Sequence, residues 1–342
     1  MTAAGPFSPD ALHDFVRAML VAAGASAEDA AIVADEVVDA EERGYESQGL
    51  VRVPNYVELA RSGKARSPSQ PAVLSETPAT LALDARSGWG HVVALDAMRR
   101  CVAKARDAGA CVAAVRNLPH VGRLGYYVEA AAAEGMIGVL AISGGTAAAT
   151  MAPWGGSEPR LSTNPLAIGF PNPGGAPVVT DISTTQAARG RVLVAAAAGQ
   201  SIPDTWALDA AGNPTTDPTR ALPPAGTLAP LGGHKGYALA IAVELLCGGL
   251  GGPYPPPQAS AFLAAIDPEA LSPGGGLAAA VGIAAAAMGS SALRPGFDEV
   301  LMPGTGSARR KARAQQEGVH VVAEVWDAVC AAADELGLEV AV

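Results

Sequence analysis

Apolar positions near the amino end recur with helical spacing. Leu12, Phe15, Val16, Met19 and Leu20 fall on one stripe, with Ser8 placed to cap, Pro9 at the first helical position and Gly24 ending the run. Ser26 and Asp29 resemble a capping box ahead of a second helix whose inner face carries Ala30, Val33 and Val37. A third helical segment spans Gly49 to Ser62 and sets Arg52 and Tyr56 four apart on one face. Ser67 to Pro78 contains Pro68, Pro71 and Pro78 and is expected to be a linker.

From Thr80 the period changes. Thr80–Asp84, Ala110–Val115, Ile137–Ser143, Leu166–Phe170 and Val178–Asp181 read as strands. Val92–Ala108, stopped by Gly109, and Leu124–Ala133 read as helices between them, which makes the class α/β. Asn213–Pro230 is a Pro/Thr-rich connection. A helix over Tyr237–Cys247, an irregular Gly/Pro-rich region and a final helix over Val319–Leu336 follow. The expected plan is a sheet domain over 73–229 inserted between helical parts at 1–72 and 230–342.

Composition narrows the function classes. Against 33 acidic residues stand 23 basic ones, a net charge of −10 that disfavours partners held by phosphate contacts, whether nucleic acid or anionic membrane. Charged residues are 16% and hydrophobic ones 49%, so much surface is expected to be buried, a subunit interface included. The longest apolar run, Leu277–Met288, is mostly alanine and shorter than the ~18–20 residues that span a bilayer. No basic region followed by an apolar stretch opens the chain. Cys101, Cys111, Cys247 and Cys330 form no CxxC pair and no metal-ligand spacing, which suits reduced, buried thiols and a cytoplasmic setting.

Nucleotide and hydrolase fingerprints are missing. Gly88-Trp-Gly90 and Gly304-Thr-Gly306 lack the third glycine of a dinucleotide fingerprint, and no GxxxxGK[ST], HExxH or GxSxG occurs. Candidate chemistry rests on fewer residues. His120 lies in a strand-to-helix loop, Asn117 to Gly125, where it could relay a proton or simply close the loop through backbone. His234 and Lys235 precede a helix and could seat a phosphate or carboxylate, or be a solvated loop. Asp181 ends a strand and could cap the next helix or hold a ribose hydroxyl. Arg309, Arg310, Lys311 and Arg313 form a basic cluster that is either a solvated helix face or a phosphate contact. His13, His91 and His320 read as structural or exposed.

Taken in order, these stretches resemble the type-2 malate/L-lactate dehydrogenase family, the non-Rossmann NAD(P) group that includes ureidoglycolate and sulfolactate dehydrogenases and piperideine-2-carboxylate reductases. The resemblance runs nearly end to end. It is carried by Glu42-Arg-Gly44 with Ser47-x-Gly49-Leu-Val-Arg52-x-Pro54-x-Tyr56 and by His120-Val-Gly-Arg-Leu-Gly125. Pro153-Trp-Gly-Gly156, Thr163-Asn-Pro165, Asp181-Ile-Ser-Thr-Thr185 with Arg189-Gly190, Gly233-His-Lys-Gly236 and Pro303-Gly304 complete it. The resemblance implies a mixed-sheet cofactor-binding domain over 73–229, a helical substrate and dimerisation part, and a homodimer whose site lies near the subunit boundary. It implies that His120 is the acid/base, with Ser47 and Gln48 at the reacting centre, and that Arg52 anchors a substrate carboxylate beside Tyr56 and Thr163. Ser143, Asp181, Ile182, Ser183, His234, Lys235, Gly304, Thr305, Gly306 and Arg309 match cofactor-contacting positions.

Two departures bear on function. The family places a histidine after Ser47, where this chain has Gln48, which can donate a hydrogen bond but cannot exchange a proton near pH 7. Thr305 stands where an acid is frequent, and with the basic cluster this leans the cofactor toward NADP(H). Three functions stay open: an NAD(P)-dependent oxidoreductase on a small 2-oxo/2-hydroxy acid, an NADPH-dependent reductase of a cyclic imino acid, and a repurposed metabolite binder without redox turnover.

Overall fold

The structure, a computed structural model, describes residues 3–340. It begins with β1 (Ala3–Phe7), α1 (Pro9–Ala22), α2 (Ala27–Glu42) and, after a tight 3-10 turn at Leu50–Arg52, α3 (Val53–Arg61). Pro9 opens α1 and the Ser26 hydroxyl accepts the Asp29 N–H to cap α2, both as the sequence predicts. The stretch expected as a linker holds an edge strand, β2 (Ala72–Glu76). Then come β3 (Thr80–Asp84), α4 (Gly90–Ala108), β4 (Ala110–Arg116), α5 (Leu124–Ala133), β5 (Ile137–Ser143), β6 (Leu166–Phe170) and β7 (Val178–Ile182).

Beyond the sheet lie α6 (Arg189–Ala197), the small pair β8 (Ala207–Asp209) and β9 (Gly226–Leu228), and α7 (His234–Glu244). A further strand, β10 (Ser260–Ile266), precedes α8 (Pro268–Leu271), α9 (Gly276–Gly289), α10 (Thr305–Glu317), β11 (Val319–Val322) and α11 (Ala323–Glu335). Val319–Val322, expected as the start of the last helix, is thus a strand. It pairs antiparallel with β1, a partner more than three hundred residues away.

The main sheet has the order β2-β3-β4-β10-β5-β6-β7. β3 and β4 are parallel, β10 runs antiparallel to both β4 and β5, and β6 is antiparallel to β5 and β7. So β3, β4, β5 and β7 point one way while β2, β10 and β6 point the other. This is the mixed α/β sheet expected, with one correction. Residues 230–342 are not wholly helical, because β10 fills the centre of the sheet. Its side chains alternate as a doubly covered strand requires. Ala261, Leu263 and Ala265 join the core under α4 and α5, while Phe262 packs with Val243 and Cys247 of the opposite face.

A second core closes α1, α2 and α3 over α11, with Leu12, Val16, Val33, Val37, Tyr56, Trp89 and Val329 inside. Among the described residues no helix is long and apolar enough to cross a membrane, and the four cysteines are free.

Candidate active site

One end of the sheet opens into a cleft of about 1110 Å³. It is the end where β4, β5 and β7 finish and where β10 and β6 begin, the location at which open sheets collect ligands. Pro119–Leu124 follow β4, Gly144 follows β5, Asp181 and Ser183 close β7, and Pro257–Ala259 lead into β10. Ser47, Gln48 and Arg52 come from the turn before α3, and Arg189 and Gly190 from the start of α6.

His120 faces this cleft from the β4–α5 loop. Its Nδ1 accepts the Gly122 N–H at 3.2 Å and lies 2.7 Å from the Tyr56 hydroxyl, so both ring bonds fall on one nitrogen and Nε2 is left for a ligand. The loop-closing bond weighed from sequence therefore exists and leaves the other nitrogen unengaged. Two glycines make the loop. Gly122 has φ +70°, and a Cβ there would stand 2.0 Å from the Glu36 carboxylate oxygen. A Cβ on Gly90 would stand 2.4 Å from the carbonyls of Pro119 and His120, so only glycine fits where α4 starts beneath this loop. Although the ring is exposed to the cleft, the protein mass around it, then the Arg52 guanidinium and His91, push His120 below the usual imidazole value, so it is neutral at pH 7.

Arg52 Nε donates to the Ser47 carbonyl at 2.9 Å, and among the described residues its guanidinium pairs with no carboxylate. Gly190 packs on Ser47, where a Cβ would come within 2.7 Å of the serine Cβ. Gln48 Oε1 and Thr150 Oγ1, both of cleft-lining residues, are buried without a hydrogen-bond partner among the described residues. Thr163 lines the cleft while its carbonyl accepts the Thr184 N–H and hydroxyl at 3.0 and 2.9 Å. The Asp181 carboxylate accepts the Gly125 N–H at 2.7 Å, at the amino end of α5. Burial raises its pKa, against that bond.

The remaining sequence candidates sit elsewhere. Tyr56 is buried behind His120 rather than on the cleft wall. Ser143 lies under the floor, donating to Glu244 at 2.8 Å, and Asn164 donates to the same carboxylate at 2.9 Å. Ile182 is half-exposed beside the lining. His234 and Lys235 are exposed at the start of α7, tied to the rim by the Leu231 N–H bond to the Thr184 carbonyl, and His234 stands 6.3 Å from the Trp154 ring. Gly304 packs against Val179 of β7, with Thr305 and Gly306 opening α10 behind it. Arg309 is paired with Glu299, Arg310 donates to the Arg43 carbonyl, Lys311 binds Asp39 and Arg313 lies 3.9 Å from Glu317. The basic cluster is held by protein partners.

Sequence reasoning passed over Glu36 and His91, both wholly buried beneath His120. The available signal was Glu36 beside Val33 and Val37, on the apolar face of α2. Near it Arg123, also buried, donates to Asp39 at 2.6 Å and to Glu129 at 2.8 Å.

A family model for malate/L-lactate dehydrogenase matches residues 7–330. The chain belongs to the malate/L-lactate dehydrogenase family. It is 40% identical over 256 residues to a (2R)-3-sulfolactate dehydrogenase (NADP(+)) of Chromohalobacter salexigens, covering 75% of this chain and 74% of that protein. It is 36% identical over 276 residues to a Delta(1)-pyrroline-2-carboxylate reductase of Ancylobacter novellus, covering 77% and 80%. The solved sulfolactate dehydrogenase of Methanocaldococcus jannaschii superposes with a TM-score of 0.88 at 32% identity, over 97% of this chain and 98% of that one. Membership makes this chain an NAD(P)-dependent dehydrogenase/reductase of the hydroxy-acid and imino-acid group, with the non-Rossmann sheet described above.

Proposed function

We propose that the chain transfers hydride between a nicotinamide cofactor and a small 2-oxo/2-hydroxy acid, with His120 as the acid/base and Arg52 as the carboxylate anchor. One observation carries this reading: an imidazole whose Nε2 is unengaged and a guanidinium that pairs with no carboxylate, both among the described residues, line the same cleft. Arg52 offers its terminal nitrogens as a fork to the substrate carboxylate. His120 Nε2 meets the oxygen of the neighbouring carbon, which gains a proton on reduction and returns it on oxidation.

The cleft suits a cofactor as well as an acid. Its volume exceeds the roughly 300–1,000 Å³ that serves one small ligand, and the buried orphan oxygens of Gln48 and Thr150 await donors. Asp181, Ser183 and Thr163 would hold the cofactor from the strand ends, with His234, Lys235 and Gly304, Thr305, Gly306 and Arg309 at the start of α10 as contacts from farther out. When bound, a reduced nicotinamide supplies the hydride. A lean to NADP(H) draws on the name of one relative, since the basic cluster has protein partners. The exposed apolar side chains of Leu271 at the end of α8, and of Ile283, Met288, Leu293 and Phe297 on and beyond α9, support a homodimer, because monomers rarely leave such area bare. Free, mostly buried thiols suit the cytoplasm.

Titration with NADPH and NADH, then a panel of 2-oxo acids beside cyclic imino acids followed at the nicotinamide absorbance, tests the reading. Cofactor consumption with an oxo acid is expected, and a protein that binds neither coenzyme overturns it.

Gln48 favours a second reading. An iminium arrives with its own proton, needs no strong acid, and its N–H matches the orphan Gln48 oxygen. On this reading Gln48→His raises kcat/KM for an oxo acid by about 10²-fold, the lower end of what a proton donor contributes. An unchanged ratio of oxo acid to imino acid turnover would discard it.

A further inference from the structure

Burying ionisable groups costs stability unless something offsets it, and two lie directly behind His120 without a part in the chemistry above. His91 Nε2 stands 3.2 Å from the Tyr56 hydroxyl and 3.5 Å from Glu36 Oε2, and that hydroxyl stands 2.7 Å from His120 Nδ1. All three side chains are buried, and the Tyr56 and His91 rings meet edge-on with centroids 5.0 Å apart.

A single backbone group orders the protons in this row. The Gly122 N–H points at His120 Nδ1, so that nitrogen carries no proton. The Tyr56 hydroxyl must then donate to Nδ1, its oxygen accepts from His91 Nε2–H, and the one proton of neutral His120 resides on Nε2. We propose that Tyr56 and His91 are positioning residues, a buried pair that holds His120 in its Nε2–H tautomer with the proton presented to the cleft, and that Glu36 behind them weakens this hold when it ionises. The proposal rests on the reading of His120 as the proton donor to substrate.

The far end of the row supports this. Burial pushes His91 down to about 3, so it carries one proton only and its direction matters. Burial pushes Glu36 up to about 8, against the Arg123 N–H that its Oε1 accepts at 2.5 Å. The titratable and charged groups facing it are His91, Tyr56, Tyr127, Arg123, Arg52 and Asp39. At neutral pH Glu36 is uncharged and Tyr56 keeps the His91 N–H. As pH rises through about 8 the new carboxylate, 3.5 Å from His91 Nε2, competes for that N–H and loosens the hold on Tyr56.

The test reads the tautomer directly, by long-range ¹⁵N–¹H imidazole NMR on the full-length protein without cofactor. Wild type is expected to show His120 as Nε2–H. Tyr56→Phe, which removes only the hydroxyl, and His91→Leu should give mixed tautomers. His91→Gln, whose amide N–H can still reach Tyr56, should restore the wild-type pattern. In turnover Tyr56→Phe and His91→Leu should lower kcat by about 10²-fold with KM little changed, and Glu36→Gln should abolish the alkaline limb of the kcat profile. A His120 Nδ1–H tautomer in wild type, or an unshifted tautomer in folded Tyr56→Phe, overturns the proposal. If the tautomers shift as expected while no oxo or imino acid is turned over, the positioning pair stands and the reductase reading falls.

Discussion

Replacing His120 with alanine is expected to lower kcat for a 2-oxo acid by about 10²–10⁴-fold, the usual contribution of a placed general acid, while coenzyme affinity stays near wild type. The alkoxide formed as hydride arrives is basic enough to take a proton from a neutral imidazole, so the depressed pKa of His120 does not bar the role. It makes the ring a proton donor whose charge state is constant across the physiological range. With a cyclic imino acid the same variant should lose far less, because the iminium already carries its proton. Steady-state kinetics on both substrates with one enzyme preparation check this. Equal losses on both would mean that His120 shapes the pocket rather than moving a proton.

Arg123→Met should destabilise the fold by about 3–5 kcal/mol at pH 7, the range for removing one partner of a buried ion pair. Arg123 is 2% exposed and stands between Asp39 and Glu129, joining α2 to the loop that carries His120. Burial alone would raise Asp39, yet Arg123, Arg43 and Lys311 together hold it down to about 2. A depressed carboxylate contributes stability above its unfolded value near 3.8 and loses it as pH falls through about 2. The variant has less of this to lose. Its deficit against wild type, measured by denaturant unfolding, should therefore shrink as pH falls from about 4 toward 2. A deficit that is absent at pH 7 would show that the charge network contributes nothing net.

What the sequence made legible follows from the range of the interactions involved. Leu166–Phe170 and Ile137–Ser143 announce themselves because alternation and β-branched content are local, and both strands form where expected. Ser260–Ile266 is as apolar as either, but it follows a stretch dense in glycine and proline, and nothing local says that it slots between β4 and β5. The β1–β11 pairing is hidden for the same reason. At the site, His120, Arg52, Ser47, Gln48, Thr163, Asp181 and Ser183 converge on one cleft. Tyr56 and Ser143 were visible as polar residues in the right stretches, but whether a hydroxyl faces a ligand or a buried neighbour is decided by packing across elements. Glu36 and His91 illustrate the limit. A glutamate on a helix reads as solvated until α4 and the His120 loop close over it.

The most direct measurement compares one substrate with its own amide. With reduced nicotinamide in excess, a 2-oxo acid should be reduced with a kcat/KM that falls by about 10- to 10²-fold when its carboxylate becomes a carboxamide, since a charge-assisted pair to Arg52 contributes about 1.5–3 kcal/mol. In the Arg52→Met protein the two compounds should become nearly equivalent. Reduction of acid and amide at the same rate by wild type would contradict the assignment of the cleft as a 2-oxo acid site.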